Sequence, residues 1–157
     1  MVTGTTGCIT GEYTWVSSKP RVKIVLDECA VAPIRAYDAD AGLDLRSPVD
    51  FMVPAHGSYT VDTGVHVEIP KNHVGFLKSK SGLNVKKNIT SEGTIDSGYI
   101  GSIVVKLYNH GNEDYEVKRG DKITQLVICP VMIPDLVLVG ALDETDRGTN
   151  GFGSSGR

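Results

Sequence analysis

Cysteine is scarce in this sequence, with only Cys8, Cys29 and Cys129 among 157 residues. An odd count without close paired spacing argues against a disulfide framework or a zinc knuckle, so a reducing compartment is expected. No apolar stretch is long enough to span a bilayer, and residues 1–20 have neither the basic start nor the apolar run of a signal peptide. We therefore expect a soluble cytoplasmic protein, or one of the host cytoplasm or nucleus if the source is a virus, with no membrane partner.

Basic residues are not in excess either. Sixteen Lys and Arg residues stand against 19 Asp and Glu residues, and the net charge is −3. This balance argues against a broad basic face, so we expect no nucleic-acid partner. It leaves room for a small polyanionic ligand, because a few focused cations suffice to bind one.

Glycine and proline are abundant, at 18 and 7 residues, and they separate short alternating apolar runs. The predicted strands are Arg21–Leu26, Leu43–Ser47, Asp50–Val53, Ser58–Asp62, Val65–Ile69, Val74–Lys78, Ile89–Ile95, Ser102–Tyr108, Tyr115–Val117, Ile123–Ile128 and Leu136–Leu142. The one predicted helix is short, near Ser81–Lys87. Short strands at this spacing predict an all-β, closed or double-layered antiparallel architecture.

Composition divides the chain into three parts. Residues 1–20 are small, polar and weakly periodic, and we predict a flexible N-terminal extension there. Residues 21–142 contain the predicted strands and form the β domain. Residues 143–157 are rich in glycine and polar side chains, which predicts a flexible C-terminal arm.

Two polar blocks combine charge with a glycine. In Asp40–Leu45, the carboxylate of Asp44 suits a hydrated magnesium ion, although a strand-entry turn with a capping aspartate explains the same residues. In Lys78–Leu83, hydroxyls, Lys80 and a glycine stand at the start of the predicted helix. That arrangement suits a phosphate, and it equally describes an ordinary helix start with solvated lysines.

Two further blocks place polar residues on strands and turns. Gly93–Gly101 is typical of a β-hairpin, in which Asp96 could accept a proton from an attacking water and Tyr99 could lie flat against a sugar. A turn aspartate and a surface tyrosine are the alternative. In Arg119–Leu126, Gln125 is a neutral polar residue at a strand position, able to donate to a phosphate oxygen.

The last block, Arg147–Arg157, contains functional side chains on a glycine frame. Arg147 offers a bidentate charge to a phosphate. Phe152 lies between glycines and has no core to join, but it could stack on a base. Ser154 and Ser155 add hydroxyl donors. The pattern predicts a lid that orders over a nucleotide, with a disordered tail as the alternative.

In this order the blocks resemble the five motifs of the trimeric dUTPase family, and the resemblance covers about Val22 to Gly156. The motifs fall at residues 41–45, 80–83, 93–101, 120–126 and 147–154. The resemblance implies a distorted jelly-roll (β-clip) subunit with one short helix and a flexible C-terminal arm. It also implies a homotrimer with shared active sites that hydrolyses dUTP to dUMP and pyrophosphate with Mg²⁺.

The resemblance assigns a role to each matching residue. Asp96 would be catalytic and activate the water that attacks the α-phosphorus, and Asp44 would hold the magnesium through water. The phosphate-binding residues would be Lys80, Ser81, Gly82 and Gln125. The base and sugar pocket would include Gly93, Thr94, Ile95 and Tyr99. The arm residues that close on the nucleotide would be Arg147, Phe152, Gly153 and Ser154.

Three positions depart from the family pattern. Lys80 stands where arginine is usual and gives up bidentate phosphate contact. Gly98 replaces a common acidic residue, and Ser155 replaces threonine. Two other functions compete with dUTP hydrolysis: a dCTP deaminase of the same fold, whose pattern around Glu92 is absent, and a nucleotide-gated regulatory protein built on a dUTPase.

Overall fold

The computed structural model describes residues 21–151, and this part of the chain contains nine strands and one helix. The strands are β1 (Lys23–Leu26), β2 (Gly42–Arg46), β3 (Phe51–Val53), β4 (Ser58–Glu68), β5 (His73–Lys78), β6 (Ile89–Asp96), β7 (Ser102–Asn109), β8 (Tyr115–Val117) and β9 (Lys122–Pro130). The helix α1 spans Ser81–Lys87. No helix within residues 21–151 has the length and apolar character needed to cross a membrane.

Seven strands form one antiparallel sheet in the order β1-β4-β7-β6-β5-β9-β2, and β3 pairs with β8 in a second, two-stranded sheet. The large sheet curls around the core as a distorted jelly roll. The predicted all-β class and the single short helix are therefore confirmed.

Alternation of buried and exposed residues along the strands builds the core. Val61, Thr63, Val65 and Val67 of β4 are buried, and so are Ile103, Val105 and Leu107 of β7. Because successive strand residues point to opposite faces, each strand contributes one buried and mostly apolar row to the interior. The β-branched side chains in these rows fit a pleated, buried surface.

Strand β4 is continuous from Ser58 to Glu68, whereas the sequence predicts two strands separated near Gly64. A register shift between Asp62 and His66 absorbs Gly64, which has a φ of +65°. Glycine adopts this conformation at little cost, so the strand bends at a bulge instead of ending. The two-strand prediction is wrong for this reason.

Helix α1 begins and ends at the predicted residues. Asn88 follows it in the left-handed conformation, with a φ of 56°, and its N–H donates to the Asn84 carbonyl at 3.1 Å. This is a helix-terminating arrangement, and Lys86 and Lys87 in the last turn complement the carbonyl end of the helix.

The predicted strand Leu136–Leu142 is absent, because residues 131–151 have no strand and no helix. Leu136, Leu138 and Leu142 are exposed by 96%, 101% and 89% of their surface. The alternating apolar pattern is present, but a strand also needs a partner edge, and this segment pairs with none of the described strands. Residues 1–20 and 152–157, with the predicted extension and the end of the arm, lie outside the described residues.

Candidate active site

A polar cleft of about 420 Å³ lies where β2 meets β9. Its walls come from the chain before and within β2, from Lys80 just before α1, and from β9. The lining residues are Ala36, Asp40, Ala41, Gly42, Asp44, Lys80, Lys122, Gln125 and Val127. Three sequence-predicted site residues, Asp44, Lys80 and Gln125, therefore meet in one place.

Asp44 is the charged centre of the cleft and only 5% exposed. Lys80 Nζ donates to its Oδ1, and Lys122 Nζ lies 2.9 Å from its Oδ2. Burial raises the pKa of the Asp44 carboxyl, but the hydrogen bonds and charges of Lys80 and Lys122 outweigh this, and the net pKa lies below its ordinary value. The carboxylate is ionised at neutral pH.

Gln125 stands opposite Asp44 in the β2–β9 register, and its Nε2 donates to the Ser79 carbonyl at 3.2 Å. Its side chain fills the space beside Gly42. A Cβ at residue 42 would collide with Oε1 of Gln125 and approach its Cδ to 3.0 Å. Glycine at position 42 is thus what lets the amide reach into the cleft.

Lys122 is a cleft residue for which the sequence pattern predicts no role. It lies three positions before Gln125, so strict strand alternation would place the two on opposite faces. The β2–β9 register shifts between Leu45 and Arg46, and this irregularity brings both side chains toward Asp44. In the sequence, the only indication of a role was a lysine directly after Gly120-Asp121. The face of the sheet to which its side chain points depends on the register shift.

A hydroxyl network holds the backbone that leads into Lys80. Ser79 Oγ donates to the Ser91 carbonyl at 3.0 Å, and the Ser91 N–H donates to Ser79 Oγ at 2.9 Å. Ser91 Oγ donates to Thr124 Oγ1 at 2.7 Å, and Thr124 Oγ1 donates to the Lys78 carbonyl at 3.1 Å. These bonds tie β5, β6 and β9 together and fix the point from which the Lys80 side chain enters the cleft.

Ser81 and Gly82 open α1 directly after Lys80. No side chain caps the helix start, and a Cβ added at Gly82 would meet no atom within 4 Å. The first backbone N–H groups of the helix are therefore not occupied by a side-chain cap.

A second polar group lies on the turn between β6 and β7. Asp96 ends β6 and is exposed, and its carbonyl accepts the Tyr99 N–H at 3.0 Å. Tyr99 folds back over Gly101, and its hydroxyl donates to the Ser102 carbonyl at 2.9 Å. Tyr99 is 45% exposed, so part of the residue stays accessible to a ligand.

The predicted hairpin over Gly93–Gly101 is wrong in its pairing. Strands β6 and β7 pair only through Ile89–Ser91 and Leu107–Asn109, at the end far from the turn. Beyond Ser91, β6 pairs with β5 and β7 pairs with β4, so the two strands diverge. Gly93, Thr94 and Ile95 therefore have one backbone edge facing a gap instead of a neighbouring strand.

Two glycines in this turn make a matched pair. A Cβ at Gly101 would overlap the Tyr99 hydroxyl and lie 2.6 Å from its ring Cζ, whereas a Cβ at Gly98 would meet nothing within 4 Å. We expect Gly101→Ala to displace Tyr99. The KM for a ligand bound at this turn should then rise by about tenfold, which corresponds to the loss of one contact of about 1.4 kcal/mol. Steady-state kinetics should show Gly98→Ala close to wild type, and equal effects of both substitutions would contradict the packing argument.

Within a single chain, the turn that contains Asp96 and Tyr99 lies far from the cleft around Asp44. Asp96 lies opposite Val74 on β5, whereas Gln125 lies opposite Lys78 on the same strand. The offset along β5 and the two intervening strand spacings separate Asp96 from Gln125 by about 16 Å along the sheet. Asp96 is therefore far outside hydrogen-bond reach of the groups around Asp44.

The arm is described only as far as Gly151. Arg147 is exposed, and its Nε donates to the Asn150 carbonyl at 2.9 Å within a local turn. It is not among the residues that line the cleft. Phe152, Gly153 and Ser154, which the sequence also assigns to the site, lie outside the described residues.

No group of three or more His, Cys, Asp or Glu side chains within residues 21–151 is arranged to hold a metal ion. Asp44 offers one ionised carboxylate in a cleft that also contains two lysines. This set fits a cation that takes most of its ligands from phosphate and water, as magnesium does. It does not fit an ion enclosed by protein side chains alone.

The curled antiparallel sheet defines a jelly-roll protein, and its charged cleft suits a phosphorylated ligand. The dUTPase family model matches residues 28–156 of the chain. The chain therefore belongs to the dUTPase family, and the predicted family membership is confirmed.

Relatives and solved structures agree with this assignment. A deoxyuridine 5'-triphosphate nucleotidohydrolase of Clostridium acetobutylicum is 42% identical over 83% of this chain and 92% of its own length. The Arabidopsis thaliana protein of the same name is 44% identical over 83% of this chain and 80% of its own. The dUTPase of Staphylococcus bacteriophage 80alpha with dUPNHPP superposes with a TM-score of 0.83 at 28% identity, covering 88% and 100% of the two chains.

These names confirm the predicted enzyme class, dUTP diphosphatase. A further solved structure is a dUTPase variant from phage phi11 of S. aureus, with a TM-score of 0.72 and 27% identity over 78% of this chain and 98% of its own. That structure is described as revealing the coordination of a structural Mg(II) ion.

Proposed function

We propose that this chain hydrolyses dUTP to dUMP and pyrophosphate, with a water attacking the α-phosphorus and with Mg²⁺ as cofactor. The observation that carries the proposal is the cleft in which ionised Asp44 lies between Lys80 and Lys122, beside Gln125. It supplies cations, an amide donor and one carboxylate where a triphosphate and its counter-ion need them.

The cleft residues would bind the phosphates. Lys80 and Lys122 are side chains with 24% and 36% exposure, so their ammonium groups can turn from Asp44 to a ligand without a large rearrangement. Gln125 can donate to a phosphate oxygen, and the N–H groups at Ser81 and Gly82 point out of an uncapped helix start. Lysine at position 80 gives a point charge and no bidentate contact.

Asp44 would hold Mg²⁺ through water, which explains why one carboxylate is enough. When bound, the ion would neutralise charge that develops on the leaving pyrophosphate. The protein side chains supply the rest of the chemistry by positioning and by charge.

The diverging strands β6 and β7 would select the base. Backbone edges at Gly93, Thr94 and Ile95 can pair with uracil, and a cytosine would leave buried polar groups unpaired there, which discriminates strongly. Tyr99 would pack against the deoxyribose and exclude a 2′-hydroxyl. Asp96 would align the attacking water and accept its proton.

We also propose a homotrimer with shared active sites. The separation of about 16 Å along the sheet between Asp96 and Gln125 in one chain supports it, because a second subunit can bring its own turn to the cleft. The exposed apolar segment with Leu136, Leu138 and Leu142 supports it too, since such a segment is costly to leave in water. Arg147, Phe152, Gly153 and Ser154 of the arm would close over the nucleotide.

Pyrophosphate release from dUTP, dCTP, dTTP and UTP, each with Mg²⁺ and with chelator, tests the activity. We expect release from dUTP alone, at least about 10²-fold faster than from the other nucleotides, as expected of a site that pairs a base edge. Chelation should abolish it. Ammonia release from dCTP would indicate the deaminase alternative, and dUTP binding without hydrolysis would indicate the nucleotide-gated regulatory alternative.

A further inference from the structure

His66 lies on β4, the second strand from the β1 edge of the large sheet, and outside the cleft described above. On β4 it stands opposite Val25 of β1 on one side and Ser102 of β7 on the other. It follows the bulge at Gly64, and its side chain is 28% exposed. It is thus a titratable group placed directly beside the turn that contains Asp96 and Tyr99.

Both ring nitrogens of His66 have partners. Nδ1 lies 2.9 Å from the Ile100 carbonyl, and Nε2 lies 3.3 Å from Oδ1 of Asp27. A carbonyl and a carboxylate both only accept hydrogen bonds, so each nitrogen must donate. Only the protonated imidazolium has both N–H groups, and the neutral ring must give up one of the two contacts.

The contact to Ile100 fixes the backbone of the turn between Tyr99 and Gly101. Two residues later a second contact also ties this backbone to β4, because Ser102 Oγ donates to Oδ1 of Asp62. Tyr99 depends on both contacts, since its hydroxyl donates to the Ser102 carbonyl and its N–H belongs to the same turn. The position of the tyrosine ring is therefore tied to β4 through His66 and Asp62.

The surroundings of His66 favour its charged form. The charged side chains around it on β1, on β4 and in the turn after β1 are Lys23, Asp27, Asp62 and Glu68. Lys23 and Glu68 pair with each other at 2.9 Å, which leaves two carboxylates facing the ring. The hydrogen bond to the Ile100 carbonyl, followed by the contact and charge of Asp27 and the charge of Asp62, raises the pKa of His66 above its ordinary value, against the opposing effect of burial.

We propose that protonated His66 is a positioning residue that holds the turn after Asp96 in the form that fits the deoxyribose and base, so that nucleotide affinity weakens when the ring loses its proton. This inference rests on the proposed dUTP site and adds to it a residue that touches neither substrate nor metal. It acts through Ile100 and Tyr99.

The raised pKa of His66 determines whether the KM for dUTP rises or falls with pH. A group with a raised folded-state pKa contributes fully below its ordinary value of 6.5 and loses the contribution as pH rises through the folded-state pKa. The KM for dUTP should therefore rise with pH above about 6.5, by about 3- to 10-fold for one hydrogen bond of ordinary strength. Because the effect is on binding, kcat should stay within about twofold.

The variant His66→Asn tests the inference. Asparagine keeps an N–H near the position of Nδ1 but neither titrates nor reaches Asp27. Its KM should lack the His66-dependent rise with pH. A matched control is His73→Asn, because His73 also has Nδ1 2.9 Å from a carbonyl, but that carbonyl belongs to Lys71, before β5, and not to the turn that contains Tyr99. The control should retain the wild-type profile.

Substrate ionisation must be separated from this effect, since a terminal phosphate titrates near pH 6. The ratio of the His66→Asn profile to the wild-type profile removes it, because both enzymes use the same nucleotide. Parallel profiles for the two enzymes, with dUTP hydrolysed by both, would overturn the role of His66.

A second readout needs no activity and so separates this inference from the proposed function. In the nucleotide-free wild-type protein, NMR should show the backbone amides of Ile100 and Gly101 titrating with the same midpoint as the His66 ring. That coupling should vanish in His66→Asn and persist in His73→Asn. If the signals of these amides do not change with the His66 titration, the inference is overturned. If they do change, but the protein does not hydrolyse dUTP, only the proposed function is overturned.

Discussion

Replacing Asp96 with asparagine is expected to lower kcat for dUTP by about 10³-fold, within the range for loss of a general base. The amide keeps the size of the side chain but cannot accept the water proton. KM should change little, because the residues that we assign to base and phosphate binding stay in place. The structure also predicts an intact fold, since Asp96 is exposed and its contacts with Val74 and Tyr99 run through the backbone.

Glu92→Gln is the matched control for this substitution. Glu92 is another exposed carboxylate on β6, four residues earlier and on the same face. Its loss should leave kcat near the wild-type value, and thermal unfolding should show both variants folded. If Glu92→Gln abolished turnover and Asp96→Asn did not, the assignment of the water-activating residue would be wrong and a glutamate-centred reaction would have to be considered.

Replacing Asp44 with asparagine is expected to damage both activity and stability. The amide leaves the ammonium groups of Lys80 and Lys122 facing each other without a negative charge. Loss of one partner of a buried ion pair costs several kcal/mol, and the partial exposure of both lysines reduces this to about 1–3 kcal/mol. Because the same carboxylate would hold Mg²⁺ through water, kcat/KM should also fall by about 10²-fold, the effect of losing a group that orients the metal.

Asp50→Asn provides the control, because Asp50 is exposed and its carboxylate lies 3.3 Å from Lys118 Nζ. Its Oδ1 also accepts the Arg119 N–H at 2.7 Å, a contact that the amide oxygen of asparagine can keep. A surface pair of this kind contributes little. Denaturant unfolding at a fixed protein concentration, near pH 7 and at a pH below the lowered pKa of Asp44, measures the difference. The pKa of Asp44 is lowered, so its stabilisation is present above the ordinary value of 3.8 and disappears as pH falls through the lowered pKa. An equal loss for Asp44→Asn at both pH values would contradict the electrostatic explanation.

Much of the fold could be predicted from local pattern. Tyr115–Val117 and Ser81–Lys87 have the predicted boundaries, and most other strands shift by only a residue or two. In these segments, alternation and turn residues agree with the final contacts. The failures occur where tertiary contacts decide. A glycine at position 64 predicts the end of a strand. Strand β4 nevertheless continues past it, because it pairs with β1 and with β7.

The tail and the turn after β6 show two other limits. Leu136–Leu142 has a strand pattern, but pairing requires an edge, which no local sequence encodes. Gly93–Gly101 has a hairpin pattern, but β5 and β4 compete for the strands and separate them. In both segments the outcome depends on partners distant in sequence.

The candidate site divides in the same way. Motif order predicts Asp44, Lys80 and Gln125 as a group, and the structure places them in one cleft. Lys122 could not be placed there without the register shift between β2 and β9. The distance of Asp96 from the cleft could not be predicted either, because it depends on the pairing of four strands. The functional roles of these residues remain predictions.

Mixing two variants that each have little activity tests the proposed shared active site most directly. Asp44→Asn and Asp96→Asn subunits should each form trimers with little activity, and they are combined in equal amounts by co-refolding. If each site takes Asp44 from one subunit and Asp96 from another, random assembly gives about one site in four with both carboxylates. We predict that about a quarter of wild-type dUTP hydrolysis returns on mixing. Activity that stays at the level of the separate variants, in trimers shown to contain both subunits, would contradict a site shared between chains.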